Sequence, residues 1–148
     1  MLFPIIQPEL AVPIINLPLY NEIAWDFEGN IPIFRGGKPV ILSGKDAVAV
    51  WAWKALHVPR FRFEIYTWSY GSELESLMGQ PFTEDLKRAE AARYVRDCLI
   101  INPYITDVTD INVNFLIGRT VMLFEEKHNY LDITCRIQTI YGEAEVYV

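Results

Sequence analysis

Histidine is almost absent from this chain of 148 residues: His57 and His128 are the whole complement. Neither has a histidine or cysteine three or four positions away, which excludes the spaced ligand sets of zinc sites. Cysteine is as scarce. Cys98 and Cys135 are too few for a disulfide framework, and reduced thiols of a cytosolic product are expected. Basic residues are outnumbered: 13 Lys and Arg against 19 Asp and Glu give a net charge of −6. A protein that grips nucleic-acid phosphates needs a basic stripe, so that class is excluded. Lys87, Arg88, Arg93 and Arg96 do gather, but Glu84, Asp85, Glu90 and Asp97 are interleaved, as on a solvated helix face. Long apolar runs are missing too. None approaches the roughly 18–20 residues of a membrane helix, and the opening MLFPIIQPEL has no basic stretch and is cut by prolines, unlike a secretory signal.

What is present is apolar surface. Hydrophobic residues make up 51% and charged residues 22%, which suits a globular domain with a real core. Pro4, Pro8, Pro13 and Pro18 punctuate residues 1–20 and forbid a regular helix or a central strand there. An extended arm lying on a surface is expected, its apolar residues Phe3, Ile5, Leu10, Ile14 and Leu17 seeking cover. Residues 21–148 then read as a single domain.

The domain opens as a β-meander over Glu22–Phe27, Ile31–Phe34 and Val40–Leu42, with turns at Glu28-Gly29-Asn30 and Arg35-Gly36-Gly37-Lys38. SGKDAVAVWAWKALH begins a helix, with Ser43 as cap and Asp46 completing a capping box. The absence of charge between Asp46 and Lys54 predicts burial on most sides. VPRFRFEIYTW alternates, Phe61, Phe63 and Ile65 against Arg62, Glu64 and Tyr66, and predicts a half-buried strand ended by Gly71. Ser72 and Glu75 have capping-box spacing for a short helix through Leu74, Leu77 and Met78. Thr83 caps a longer helix with the stripe Leu86, Ala89, Ala92, Val95 and Leu99, stopped by Asn102-Pro103. Strands follow: Ile111, Val113, Phe115 and Ile117 on one face, then Thr120–Glu126, then Leu131, Ile133, Cys135 and Ile137 on one face, and finally EAEVYV. The fold class is α+β: a mainly antiparallel sheet, two to three helices on one face, and an extended proline-rich N-terminal arm.

Catalytic signatures fail one by one. GGKPVILSGKD ends in Gly-Lys, but Pro39 stands where a phosphate loop needs glycine, and Asp46 replaces the magnesium-binding Ser or Thr. Glu73 and Glu75 are two apart on an expected helix, so their side chains diverge. Ser72 has no neighbouring base and no nucleophile-elbow context, and capping explains it better. No catalytic, cofactor or metal residue is assigned. Trp68 and Tyr66 fit either a contact surface or core packing.

RFEIYTWSYGSELESLMGQ, a capped helix ending in DCLIINPYITDV, and a strand finishing IQTIYGE together resemble the sheath initiator of contractile phage tails. The likeness is to the version in PBSX-type prophages and phage-tail-like bacteriocins, within a baseplate wedge family of remote lysozyme-like fold, and runs from about residue 22 to 143. It implies a non-enzymatic structural protein without a cofactor. Its implied partners are sheath protein, baseplate wedge proteins and the tail tube or hub, with no nucleic acid and no membrane. It implies assembly in the bacterial cytoplasm and a final place in a baseplate. The family often carries Glu-Pro-Arg after the long helix at the wedge contact; here Asn102, Pro103 and Tyr104 stand in those positions, beside Trp68 and Tyr70. The resemblance and the alternation agree at the last strand. Glu143, Ala144, Glu145, Val146, Tyr147 and Val148 form an edge able to pair with a strand of sheath. The alternative from another class is a tail-associated cell-wall hydrolase.

Overall fold

The computed structural model describes residues 16–77, 80–117 and 129–148. The apolar alternation near the C-terminus builds the main sheet. β7 (Ile105–Ile117), β8 (Asn129–Thr139) and β9 (Gly142–Tyr147) are antiparallel in the order β7-β8-β9. Ile133, Cys135 and Ile137 of β8 are all buried on one face, joined by Val108 and Val113 of β7 and Val146 of β9. The expected one-sided alternation of β8 is therefore present. Asp110, with φ 51°, marks an irregularity in β7 where the register shifts between Thr109 and Asn112.

Two α-helices, α1 (Lys45–His57) and α2 (Glu84–Ile100), pack onto the apolar face of this sheet, with a single 3₁₀ turn at Leu74–Leu77 among the described residues. α1 lies against β9 and against the strand Asn21–Ile23, and α2 lies against β7. As its lack of charge predicts, α1 is buried widely: Ala47, Val48, Ala52 and Ala55 are fully covered. Small alanines let the helix approach the strands closely. The meander is also present, as three short antiparallel pairs. These are β1 (Asn21–Ile23) with β6 (Ile41–Ser43), β2 (Trp25–Asp26) with β3 (Ile31–Pro32), and β4 (Phe34–Arg35) with β5 (Lys38–Pro39). Backbone bonds from Ala24 to Val40, Ile33 to Ala24 and Val40 to Ile33 knit the pairs together. The chain is thus α+β, mainly antiparallel.

Four local expectations are corrected. Ser43 does not cap α1. Its hydroxyl donates to Asn21 Oδ1 at 2.6 Å, and Gly44 takes the cap position at φ 73° with no side-chain cap. The backbone conformation there is one that serine adopts at a cost and glycine does not. Residues 61–67 form no strand. Phe61, at φ 68°, turns the chain, and Phe61, Phe63, Ile65 and Tyr66 are all exposed. The alternation serves aromatic pairing inside a loop: Phe61 stacks on Trp68 at 4.5 Å and Tyr66 on Tyr70 at 4.7 Å. Ser72 does not cap a helix with Glu75. It is buried, its hydroxyl donates to Leu56 O at 3.1 Å, and Glu75 pairs with Arg62 at 2.8 Å. Finally, the buried stripe of α2 is Ala91, Val95, Cys98 and Leu99, whereas Leu86 and Ala89 face solvent and Ala92 is half-covered. Val95 and Leu99 keep their expected places, as does the Thr83 cap, which accepts from Leu86 N.

The strand expected over Thr120–Glu126, Met78, and the arm residues Phe3, Ile5, Leu10 and Ile14 lie outside the described residues. Leu17 is described and packs half-buried against the core.

Both thiols sit in the core. Burial pushes Cys98 up to about 12 and Cys135 up to about 11. The thiolate is the reactive form, so iodoacetamide at pH 8 is expected to leave both unmodified in the folded protein and to label both in denaturant, read by mass spectrometry. Rapid labelling of native Cys98 would contradict this packing. The folded values lie above the ordinary 9.0, so the thiols' contribution to stability is intact below pH 9. It is lost as pH rises from there through the folded values.

Candidate functional site

β9 is the edge of the sheet: β8 flanks it on one side, and no described strand pairs with the other. Its register decides what that edge offers. Ile133 and Val148 exchange both backbone hydrogen bonds, at 2.9 and 2.8 Å. In an antiparallel ladder such pairs alternate with pairs that exchange none. Cys135↔Val146 and Ile137↔Ala144 are therefore bonded pairs, and Thr134↔Tyr147, Arg136↔Glu145 and Gln138↔Glu143 are not. The N–H and C=O of Glu143, Glu145 and Tyr147 consequently point away from β8. No described group hydrogen-bonds to them.

The pleat sorts the side chains. Ala144, Val146 and Val148 turn toward the helix layer, with Val146 buried. Glu143, Glu145 and Tyr147 stand exposed on the open face. There Arg136 of β8 lies among three carboxylates: Asp110 Oδ2 at 3.4 Å, Glu143 Oε1 at 3.6 Å and Glu145 Oε1 at 3.4 Å. Gln138 Nε2 donates to Glu143 at 3.0 Å, and the Tyr147 hydroxyl donates to Glu145. That carboxylate holds the Tyr147 phenol above the usual tyrosine range. Asp110, Arg136, Glu145 and Tyr147, with Asn112 and Thr134, rim an open depression of about 360 Å³.

A second surface is the loop 58–72. Its ends are stitched by Ser72 N to Val58 O at 2.8 Å and Arg60 N to Ser72 O at 2.9 Å, and Arg60 Nη2 donates to Asp97 O of α2. The closed ends and self-packed aromatics are those of an Ω-loop, a type often used for binding. Trp68 is 76% exposed at its tip, whereas Tyr70 is half-buried against Trp51. This resolves Trp68 toward the surface. The segment after α2 is largely covered. Asn102 and Tyr104 are buried and only Pro103 is exposed. Asn102 Oδ1 accepts from Tyr104 N, and the Tyr104 hydroxyl donates to Pro18 O at 2.6 Å. The Tyr104 ring packs on Tyr20 and stacks on Tyr141, whose hydroxyl accepts from Tyr20 N at 3.0 Å. Residues 18–20 are thereby sewn to the end of the main sheet.

Sequence reasoning missed the Arg136–Asp110 pair and the anchoring role of Tyr141. Arg136 was legible as the basic residue on the polar face of β8. Its carboxylate neighbours depend on strand register, which no local pattern prints. Glu73 lies 3.8 Å from Arg60 and Glu75 pairs with Arg62 at 2.8 Å, so each of these two carboxylates has a guanidinium beside it in one open depression. Among the described residues no cluster of three potential metal ligands occurs, and no helix is long and apolar enough to cross a membrane.

The family model for the contractile injection system sheath initiator matches residues 21–142. The chain is also similar to the phage-like element PBSX protein XkdS of Bacillus subtilis (strain 168). Identity there is 27% over 74 residues, covering 49% of this chain and 52% of the relative. The chain thus matches about half the length of that curated relative. The family match stops at Gly142, so nearly all of β9 lies beyond it and is understood from its own geometry. From the meander through the main sheet, this chain belongs to the contractile injection system sheath initiator family, a structural family of phage-tail assemblies.

Proposed function

We propose that this protein is a non-enzymatic baseplate component that starts sheath assembly by lending the outer edge of β9 to an extended segment of the first sheath ring. The single observation that carries the reading is the outward set of backbone groups at Glu143, Glu145 and Tyr147. Strand addition at an exposed edge is a common way to recruit another chain, and an edge left unpaired is otherwise a liability. Residues 21–148 act as one domain and residues 1–20 as an arm that reaches the tail tube or hub. The bonds of Tyr104 to Pro18 and of Tyr141 to Tyr20 support an exit of that arm at this end of the sheet. Pro103, Trp68 and the Ω-loop face the wedge proteins, since a solvent-exposed tryptophan beside stacked aromatics is typical of an interface anchor. Assembly takes place in the bacterial cytoplasm, and the protein ends in the baseplate of a phage tail or tail-like particle.

The test is Glu145→Pro. Its N–H points outward, so proline removes a donor from the free edge and leaves the β8–β9 bonds in place. The expected result is a folded protein that still enters baseplates, with sheathed particles lost on electron microscopy of induced lysates. Normal sheathed particles from Glu145→Pro would overturn the reading.

A further inference from the structure

We infer that the strand captured by β9 is basic on one face: Lys or Arg at alternate positions opposite Glu143 and Glu145, with small or apolar residues between them. This deepens the proposed function and rests on the reading of β9 as a recruiting edge.

Register supplies the first part. A strand bonded to the outward groups of Glu143, Glu145 and Tyr147 sets its own residues directly across from these three. Their side chains fall on the open face, within reach of the carboxylates. The intervening residues continue the row of Ala144 and Val146 above the helix layer, where an apolar side chain is favoured.

Charge supplies the second. On the open face, among the described residues, Asp110, Glu143 and Glu145 share the guanidinium of Arg136. Every one of those approaches is 3.4 Å or longer. A well-made charge-assisted hydrogen bond is about 2.7–2.9 Å. Gln138 and Tyr147 hold one oxygen of Glu143 and of Glu145, but neither donor carries a positive charge, so the excess of acid over described base remains to attract a cation arriving at the edge. The same charges disfavour the commonest wrong partner. A second copy of β9 laid along the first brings acid against acid, which destabilises cross-strand pairs. One feature therefore rejects self-pairing and selects a basic strand.

The experiment uses the full chain and three soluble peptides of one length, with alternating Lys-Val, Thr-Val and Glu-Val cores. Binding is read by fluorescence anisotropy against the original chain, Glu143→Gln/Glu145→Gln, Glu143→Lys/Glu145→Lys, and Glu145→Pro. The Lys-Val peptide is expected to bind the original chain about tenfold more tightly than Thr-Val, two cross-strand ion pairs accounting for that factor. The preference should vanish in the Gln variant, invert toward Glu-Val in the Lys variant and weaken in high salt. Equal binding of Lys-Val and Thr-Val, with both lost in Glu145→Pro, overturns the charge inference and leaves the edge reading standing. Binding of Lys-Val that survives Glu145→Pro sinks the edge reading and this inference with it. Self-association of the Gln variant, absent in the original chain, supports the rejection of like copies.

Discussion

Gly71→Ala is expected to lower stability by about 3 kcal/mol or more, read as a shift of the urea midpoint with an unchanged slope. Two costs add. Gly71 sits at φ 102°, outside the range alanine adopts comfortably. A Cβ there would also lie 2.6 Å from Val58 O, 3.0 Å from Arg60 N and 3.1 Å from Arg60 Cα. All three are backbone atoms at the base of the Ω-loop, held by the Val58–Ser72 and Arg60–Ser72 bonds, so they cannot step aside without opening it. Gly44→Ala is the control. Its φ is 73°, but the nearest atom to an added Cβ is Tyr141 Cγ at 3.9 Å. It should cost about 1–3 kcal/mol from backbone conformation alone, without the added clash. Equal losses from the two variants would mean that the close approach at Gly71 contributes nothing.

Ile137→Ala is expected to cost about 2–5 kcal/mol, a large share of the roughly 5–15 kcal/mol that holds a domain together. Ile137 is fully buried in the central strand, paired with Val108 on one side and Ala144 on the other. Neither neighbour collapses easily into the space: Val108 is fixed by the ladder, and Ala144 has only a methyl group. A melting-temperature fall of roughly 6–15 °C follows. Ile65→Ala is the contrast. At 86% exposure that side chain has little to lose, and a change within about 0.5 kcal/mol is expected.

The sequence was most readable where one pattern had one use. In β8 the apolar residues have a core below and polar neighbours above, so period-two alternation maps directly onto burial. The uncharged run of α1 likewise became a helix covered on most sides. The same alternation over Phe61–Tyr66 misled, because aromatic rings can satisfy one another across a loop when no strand lies alongside to complete a ladder. Ser43 and Ser72 each had the right spacing for a cap, yet each found a partner distant in sequence, Asn21 and Leu56. Local hydroxyl chemistry lost to tertiary contacts. The free edge of β9 was legible as an alternating strand, but which of its residues face outward was not. That depends on a one-residue phase of the ladder, fixed only when Ile133 meets Val148.

Under the proposed role, the outward residues of β9 also bear on kinetics. Glu143, Glu145 and Tyr147 offer a guest strand few backbone bonds, so a single capture at these positions is readily reversed and a guest bound out of place leaves. Linked captures raise the effective concentration at each point, so retention favours a guest held at more than one.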